Sequence, residues 1–232
     1  MTTRHRARAI VALDAPTLAD AVAMVDTLGD SCDFFKIGSE LFTAAGPQAV
    51  HALRQRELDV FLDLKFHDIP NTVRGAVRSA ARLGATLLTV HATGGADMLA
   101  ASVEGAGDEC RVLAVTVLTS LGSSELGRAW GRQVDGVNEE VLRLAELARS
   151  AGVHGIVCSG MEAAAVRAAH GDVLEILVPG IRLASGAAHD QARVSTPGEV
   201  VAAGANYLVV GRAVTSASDP RAAMRQVKEA LR

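Results

Sequence analysis

Lysine is scarce in this chain: of its 23 lysines and arginines only three are lysine, at Lys36, Lys65 and Lys228. Aromatic residues are few as well, at 3% of the sequence, and the net charge is −3. With no basic field and little to stack bases on, polynucleotide binding is excluded, although a small anionic ligand needs only a local positive pocket. Cys32, Cys110 and Cys158 are odd in number and lack C-x-x-C spacing, which argues against a disulfide framework or a zinc site and predicts buried free thiols. No stretch reaches the roughly 18 uninterrupted apolar residues of a membrane span. The start, residues 1–8, is basic, but the apolar run behind it ends at Asp14, too short for a signal peptide. A soluble, cytoplasmic protein is expected.

What is present is a large apolar content. At 232 residues and 49% hydrophobic, the chain can bury a sizeable core, and a single domain over residues 1–232 is the economical reading. Eight short apolar runs recur at Ala9–Leu13, Phe34–Ile37, Val60–Leu64, Thr86–Val90, Val112–Val117, Gly155–Cys158, Leu174–Val178 and Tyr207–Val210, with helical patterns between them. Most are continuous rather than alternating, as parallel strands covered on both faces should be. Eight βα units predict a (β/α)8 TIM barrel of the α/β class. Thr196-Pro-Gly-Glu199 and Asp219-Pro220 read as N-caps of the last two helices. Two stretches, Thr119 to about Gly136 and Ile181 to about Ser195, are predicted to be long irregular loops after strands five and seven, with Trp130 packing within the first.

A barrel gathers its chemistry at the C-terminal ends of its strands. Read in order, those ends carry Asp14, Lys36, Asp63 with Lys65, His91, Thr119, Ser159, Gly180 with Arg182, and Gly211 with Arg212. The two site lysines stand beside Asp33 and Asp63 in sequence. Their rarity gives them weight, since a compact ammonium can approach and protonate a reacting carbon where a guanidinium cannot. Asp63 and Lys65, two apart on a strand, share a face and can touch. A buried ion pair stabilises a core poorly, so an alternating network with Asp14 and Lys36 points to a functional site. Asp68 lies beyond the strand, just before the break at Pro70. Val178-Pro-Gly-Ile-Arg182 and Val209-Val-Gly-Arg-Ala213 combine close backbone approach with a cationic fork, a pattern suited to phosphate. His91 and His67 are expected to be supporting neighbours, and Thr119 a hydrogen-bonding residue, because no base adjoins it.

With those residues assembled, the chain resembles the bacterial orotidine 5′-monophosphate decarboxylase family over essentially its whole length. The resemblance rests on Val11-Ala-Leu-Asp14, Phe35-Lys-Ile-Gly38, Asp63-Leu-Lys-Phe-His-Asp-Ile-Pro-Asn-Thr72, Val90-His-Ala-Thr-Gly-Gly95, Ala114 to Ser120, Val178 to Arg182 and Val210-Gly-Arg212. It implies cofactor-independent loss of CO₂ from orotidine 5′-monophosphate in pyrimidine biosynthesis, with no metal, by a homodimer with shared sites. It also implies Lys65 as proton donor, Asp63 and Lys36 as its charged neighbours, and Asp68 arriving from the other subunit. Asp14 and Lys36 would hold the ribose, with Thr72 reaching across from the partner. Thr119 would line the pyrimidine site, and Arg182, Gln191, Gly211 and Arg212 would hold the phosphate. The 181–195 stretch has no tyrosine, which some members use on the phosphate. The shorter D-x-K-x-x-D pattern is shared with magnesium-dependent sugar-phosphate decarboxylases and aldolases, which form the alternative enzyme class. A non-catalytic phosphate-ligand sensor would keep the Gly-Arg motifs without needing Lys65 and Asp63.

Overall fold

The apolar runs form a closed barrel in the computed structural model, which describes residues 7–183 and 195–231. Its parallel strands follow chain order: β1 (Arg8–Leu13), β2 (Phe34–Gly38), β3 (Asp59–Phe66), β4 (Leu87–His91), β5 (Arg111–Val115), β6 (Gly155–Val157), β7 (Glu175–Val178) and β8 (Tyr207–Val210). β8 pairs back onto β1, and helices fill the intervals, so the fold is a (β/α)8 TIM barrel. Each predicted strand overlaps an observed one.

Successive strand residues point to opposite faces, and this period sorts the core into two parts. Ile10, Phe34, Phe61, Leu87, Leu113 and Leu177 point inward and are at most 1% exposed, closing the barrel as a packed plug. Val11, Leu13, Phe35, Ile37, Leu62 and Leu88 belong to the larger layer beneath the helices. Burial of each such side chain contributes roughly 1.5–3 kcal/mol. On the strands that supply Phe34, Phe61 and Leu87, two residues further along the inward face stand Lys36, Asp63 and Thr89. The polar site is therefore the next layer above an apolar floor.

A second polar layer closes the opposite end. Arg8 lies 2.7 Å from Asp59 and 3.5 Å from Asp33, and Arg111 lies 2.8 Å from Glu175. Asp33, three residues before Lys36, thus belongs to the N-terminal end of the barrel and not to the site.

The two capped helices begin where expected. Thr196 accepts from the Glu199 N–H at 3.4 Å while Glu199 accepts from the Thr196 N–H at 2.7 Å, opening the helix Pro197–Ala202. Asp219 accepts from the Ala222 N–H at 2.9 Å ahead of the helix Pro220–Ala230. The stretch 119–136 needs correction, since it contains the helix Ser123–Trp130. Glycines around it disguise its period, but Glu125 accepts from the Gly122 N–H at 3.1 Å and Gly131, at φ 64°, ends it. Trp130 packs against the core, with the Arg132 guanidinium 5.0 Å from its ring centre. All three cysteines are buried outside any disulfide, and burial pushes the Cys32 thiol up to about 11 and Cys110 to about 12.

Candidate active site

A cavity of about 730 Å³ opens at the C-terminal end of the barrel, within the usual size range of small-molecule sites. Asp14, Lys36, Asp63, Lys65, Thr119, Arg182, Gly211 and Arg212 all line it, above a floor formed by Ala12, Phe61, Val157, Leu177 and Val209. Residues far apart in the chain meet because every strand ends on the same rim.

Four of them form a chain of alternating charge. Lys36 Nζ donates to Asp14 Oδ1 at 2.9 Å and lies 3.8 Å from Asp63 Oδ2; Lys65 Nζ donates to Asp63 Oδ1 at 2.8 Å. The middle of this chain is the driest part, with the Lys36 and Asp63 side chains 11% and 14% exposed against 37% for Lys65. Each charge buried there has an opposite neighbour, which offsets the desolvation that an isolated ion could not bear. The Lys65 ammonium at the open end remains available to a ligand.

Lys65 does not sit on a regular strand. Its φ is 50°, a region few non-glycine residues enter, and the register of β3 on β4 jumps between Leu62↔Leu88 and Phe66↔Val90. Simple alternation put Lys65 beside Asp63, but the contact is made through an irregularity in the ladder. Thr89, which is 0% exposed, accepts from the Lys65 N–H at 2.9 Å and donates to Asp63 Oδ1 at 2.9 Å. Gly38 is set by close approach: a Cβ there would lie 2.8 Å from Lys36 Nζ and 3.3 Å from Asp14 Oδ1. Neither Thr89 nor Gly38 was singled out for a role by the sequence; the one signal available was their place beside the site lysines. Pro179 and Ala213, from the two Gly-Arg motifs, line the cavity as well, and Ser216 and Ala217 join them from outside any motif the sequence offered.

Two of the strand-end residues do not line it. Ser159 is buried as a helix cap, accepting from the Met161 N–H at 3.3 Å and donating to Glu162 at 2.6 Å. His91 packs its ring 5.5 Å from that of His67; burial, followed by the charges of His67 and Lys65, holds its pKa below the ordinary histidine value. Asp68 and Thr72 are exposed and also lie outside the cavity of their own chain; Asp68 accepts from the Ile69 N–H at 2.6 Å. Gln191 lies outside the described residues. Among the described residues no group of three or more His, Cys, Asp or Glu side chains is arranged to hold a metal ion.

The sequence pattern of the orotidine 5′-phosphate decarboxylase / HUMPS family matches residues 7–227. The orotidine 5′-phosphate decarboxylase of Anaeromyxobacter sp. (strain K) is 53% identical over 225 residues, covering 97% of this chain and 98% of the relative. That of Alkalilimnicola ehrlichii is 51% identical over 230 residues, covering 97% and 96%. The crystal structure of the Lactobacillus acidophilus orotidine 5′-phosphate decarboxylase superposes with a TM-score of 0.87 at 37% identity, covering 97% of this chain and 99% of that one. A match that runs almost from end to end, in sequence and in backbone, makes this chain a member of the orotidine 5′-phosphate decarboxylase / HUMPS family.

Proposed function

We propose that the protein decarboxylates orotidine 5′-monophosphate to uridine 5′-monophosphate, a step of pyrimidine biosynthesis, in the cytoplasm and without a cofactor. The observation that carries this reading is the Asp14–Lys36–Asp63–Lys65 chain, whose last ammonium faces the cavity. The C6–carboxylate bond breaks, CO₂ leaves and the electron pair stays on C6 of the pyrimidine. No part of the ring delocalises that pair, so charge must be met from outside. The Lys65 ammonium stabilises the developing carbanion and then gives its proton to C6. Asp63, beside the substrate carboxylate, adds repulsion, but two unit charges 4 Å apart amount to only about 4 kcal/mol at an effective dielectric of 20. Rate accelerations commonly require roughly 8–23 kcal/mol. Preorganised charge and binding energy from the phosphate must therefore supply most of the effect.

In this reading Arg182, Gly211, Arg212 and Gln191 bind the phosphate, Asp14 and Lys36 the ribose, and Thr119 the pyrimidine. Asp68 and Thr72 act on a second copy's site in a homodimer; their exposure outside their own cavity supports that assignment. The test is the ultraviolet change of orotidine 5′-monophosphate on incubation with the protein in excess chelator. Steady conversion to uridine 5′-monophosphate is expected. No conversion of the nucleotide, together with magnesium-dependent turnover of a sugar phosphate, would favour the metal-dependent sugar-phosphate chemistry instead.

A further inference from the structure

We propose that Thr89 is a positioning residue for the Lys65–Asp63 centre, holding both partners through one hydroxyl. The inference rests on the decarboxylase reading above. Thr89 lies on β4, one inward position beyond Leu87, and is 0% exposed. Its two hydrogen bonds have defined directions. A backbone N–H only donates, so the Lys65 N–H at 2.9 Å takes a lone pair of Thr89 Oγ1. A carboxylate only accepts, so the single hydroxyl proton goes to Asp63 Oδ1 at 2.9 Å.

That arrangement replaces what the strand ladder loses. Between Leu62↔Leu88 and Phe66↔Val90, β3 advances four residues while β4 advances two, and Lys65 turns to φ 50° within that excess. The hydroxyl supplies the acceptor that the irregular backbone needs at Lys65. The same Asp63 oxygen also receives Lys65 Nζ at 2.8 Å. Thr89 therefore grips Lys65 at both ends, at its backbone directly and at its ammonium through Asp63.

The test compares kcat, KM and melting temperature for orotidine 5′-monophosphate with the wild type, Thr89→Val and Thr89→Ser. Valine keeps the shape and removes both hydrogen bonds; serine keeps the hydroxyl and removes a buried methyl. Thr89→Val should lower kcat on the order of 10²-fold, the scale of a misplaced reacting group, with a much smaller change in KM because the phosphate residues are untouched. Thr89→Ser should recover most of the loss. A residue that served only the fold would give the opposite ranking, with serine the worse variant in both melting temperature and kcat. The proposal is overturned if Thr89→Val keeps kcat within about threefold of wild type, or if serine is as impaired as valine. Should the wild type fail to convert the nucleotide, the functional reading fails by itself. A crystal structure of Thr89→Val then decides the role of Thr89: Lys65 displaced from Asp63 supports it, and Lys65 unmoved refutes it.

Discussion

The ammonium of Lys36 has almost no room to spare. A Cβ at position 38 would come within 2.8 Å of Lys36 Nζ, the free end of a flexible side chain, and clear of the backbone. Gly38→Ala should therefore leave the fold standing, because the lysine tip can swing aside, and yet break the contact between Lys36 and Asp14. Turnover is expected to fall on the order of 10²-fold with a small change in melting temperature. Turnover near wild type would show that the charge chain tolerates the shift. At this scale the sequence brought Asp14, Lys36, Asp63 and Lys65 to one rim, because a barrel collects the C-terminal ends of its strands there. It was silent about Thr89 and Gly38. A buried threonine inside Leu87–His91 looks like any β-branched strand residue, and a glycine required by close approach looks like one required by a turn.

Among the elements, β3 departs most from its pattern. Continuous apolar runs foretold all the strands, since parallel strands buried on both faces carry little else. They could not foretell that β3 would extend to Phe66 with Lys65 at positive φ, because a register jump depends on which neighbour can replace the missing ladder bonds. The N-terminal end of the barrel offers a separate test. His154, just before β6, accepts the Val112 N–H at Nδ1 over 3.0 Å. Burial, and next the positive charge of Arg111, hold its pKa below the usual value, against an opposing pull from Glu175. The unfolded chain then takes up a proton at a higher pH than the folded one. The associated stability is complete above the unfolded value of about 6.5 and is lost as pH falls through the lower folded value. His91, also depressed by burial, acts in the same direction. The melting temperature should drop between neutral pH and about 5, and His154→Asn, whose Oδ1 can accept the same N–H without titrating, should flatten that drop. An equally steep drop in the variant would assign the effect elsewhere.

At the scale of the whole molecule, the barrel and its rim of site residues followed from strand spacing, whereas the assembly did not. Asp68 and Thr72 stand exposed outside their own cavity, beside Ile69, which is 67% exposed. If each site is completed by Asp68 from a second copy, Lys65→Ala and Asp68→Ala homodimers should both be nearly inactive. Mixed after dissociation, they should regain activity, since each mixed dimer carries one intact site. Random exchange makes about half the dimers mixed, so roughly a quarter of all sites should recover. Confirmed exchange by native mass spectrometry without recovery would place Asp68 in its own chain's service. Turnover in every such site rests on one ammonium. The most direct measurement is the turnover of orotidine 5′-monophosphate by Lys65→Ala beside the wild type in chelator, with circular dichroism to verify the fold. A fall of at least about 10³-fold, the scale of losing a key electrostatic group, is the predicted result; turnover close to wild type in a folded Lys65→Ala protein would contradict it.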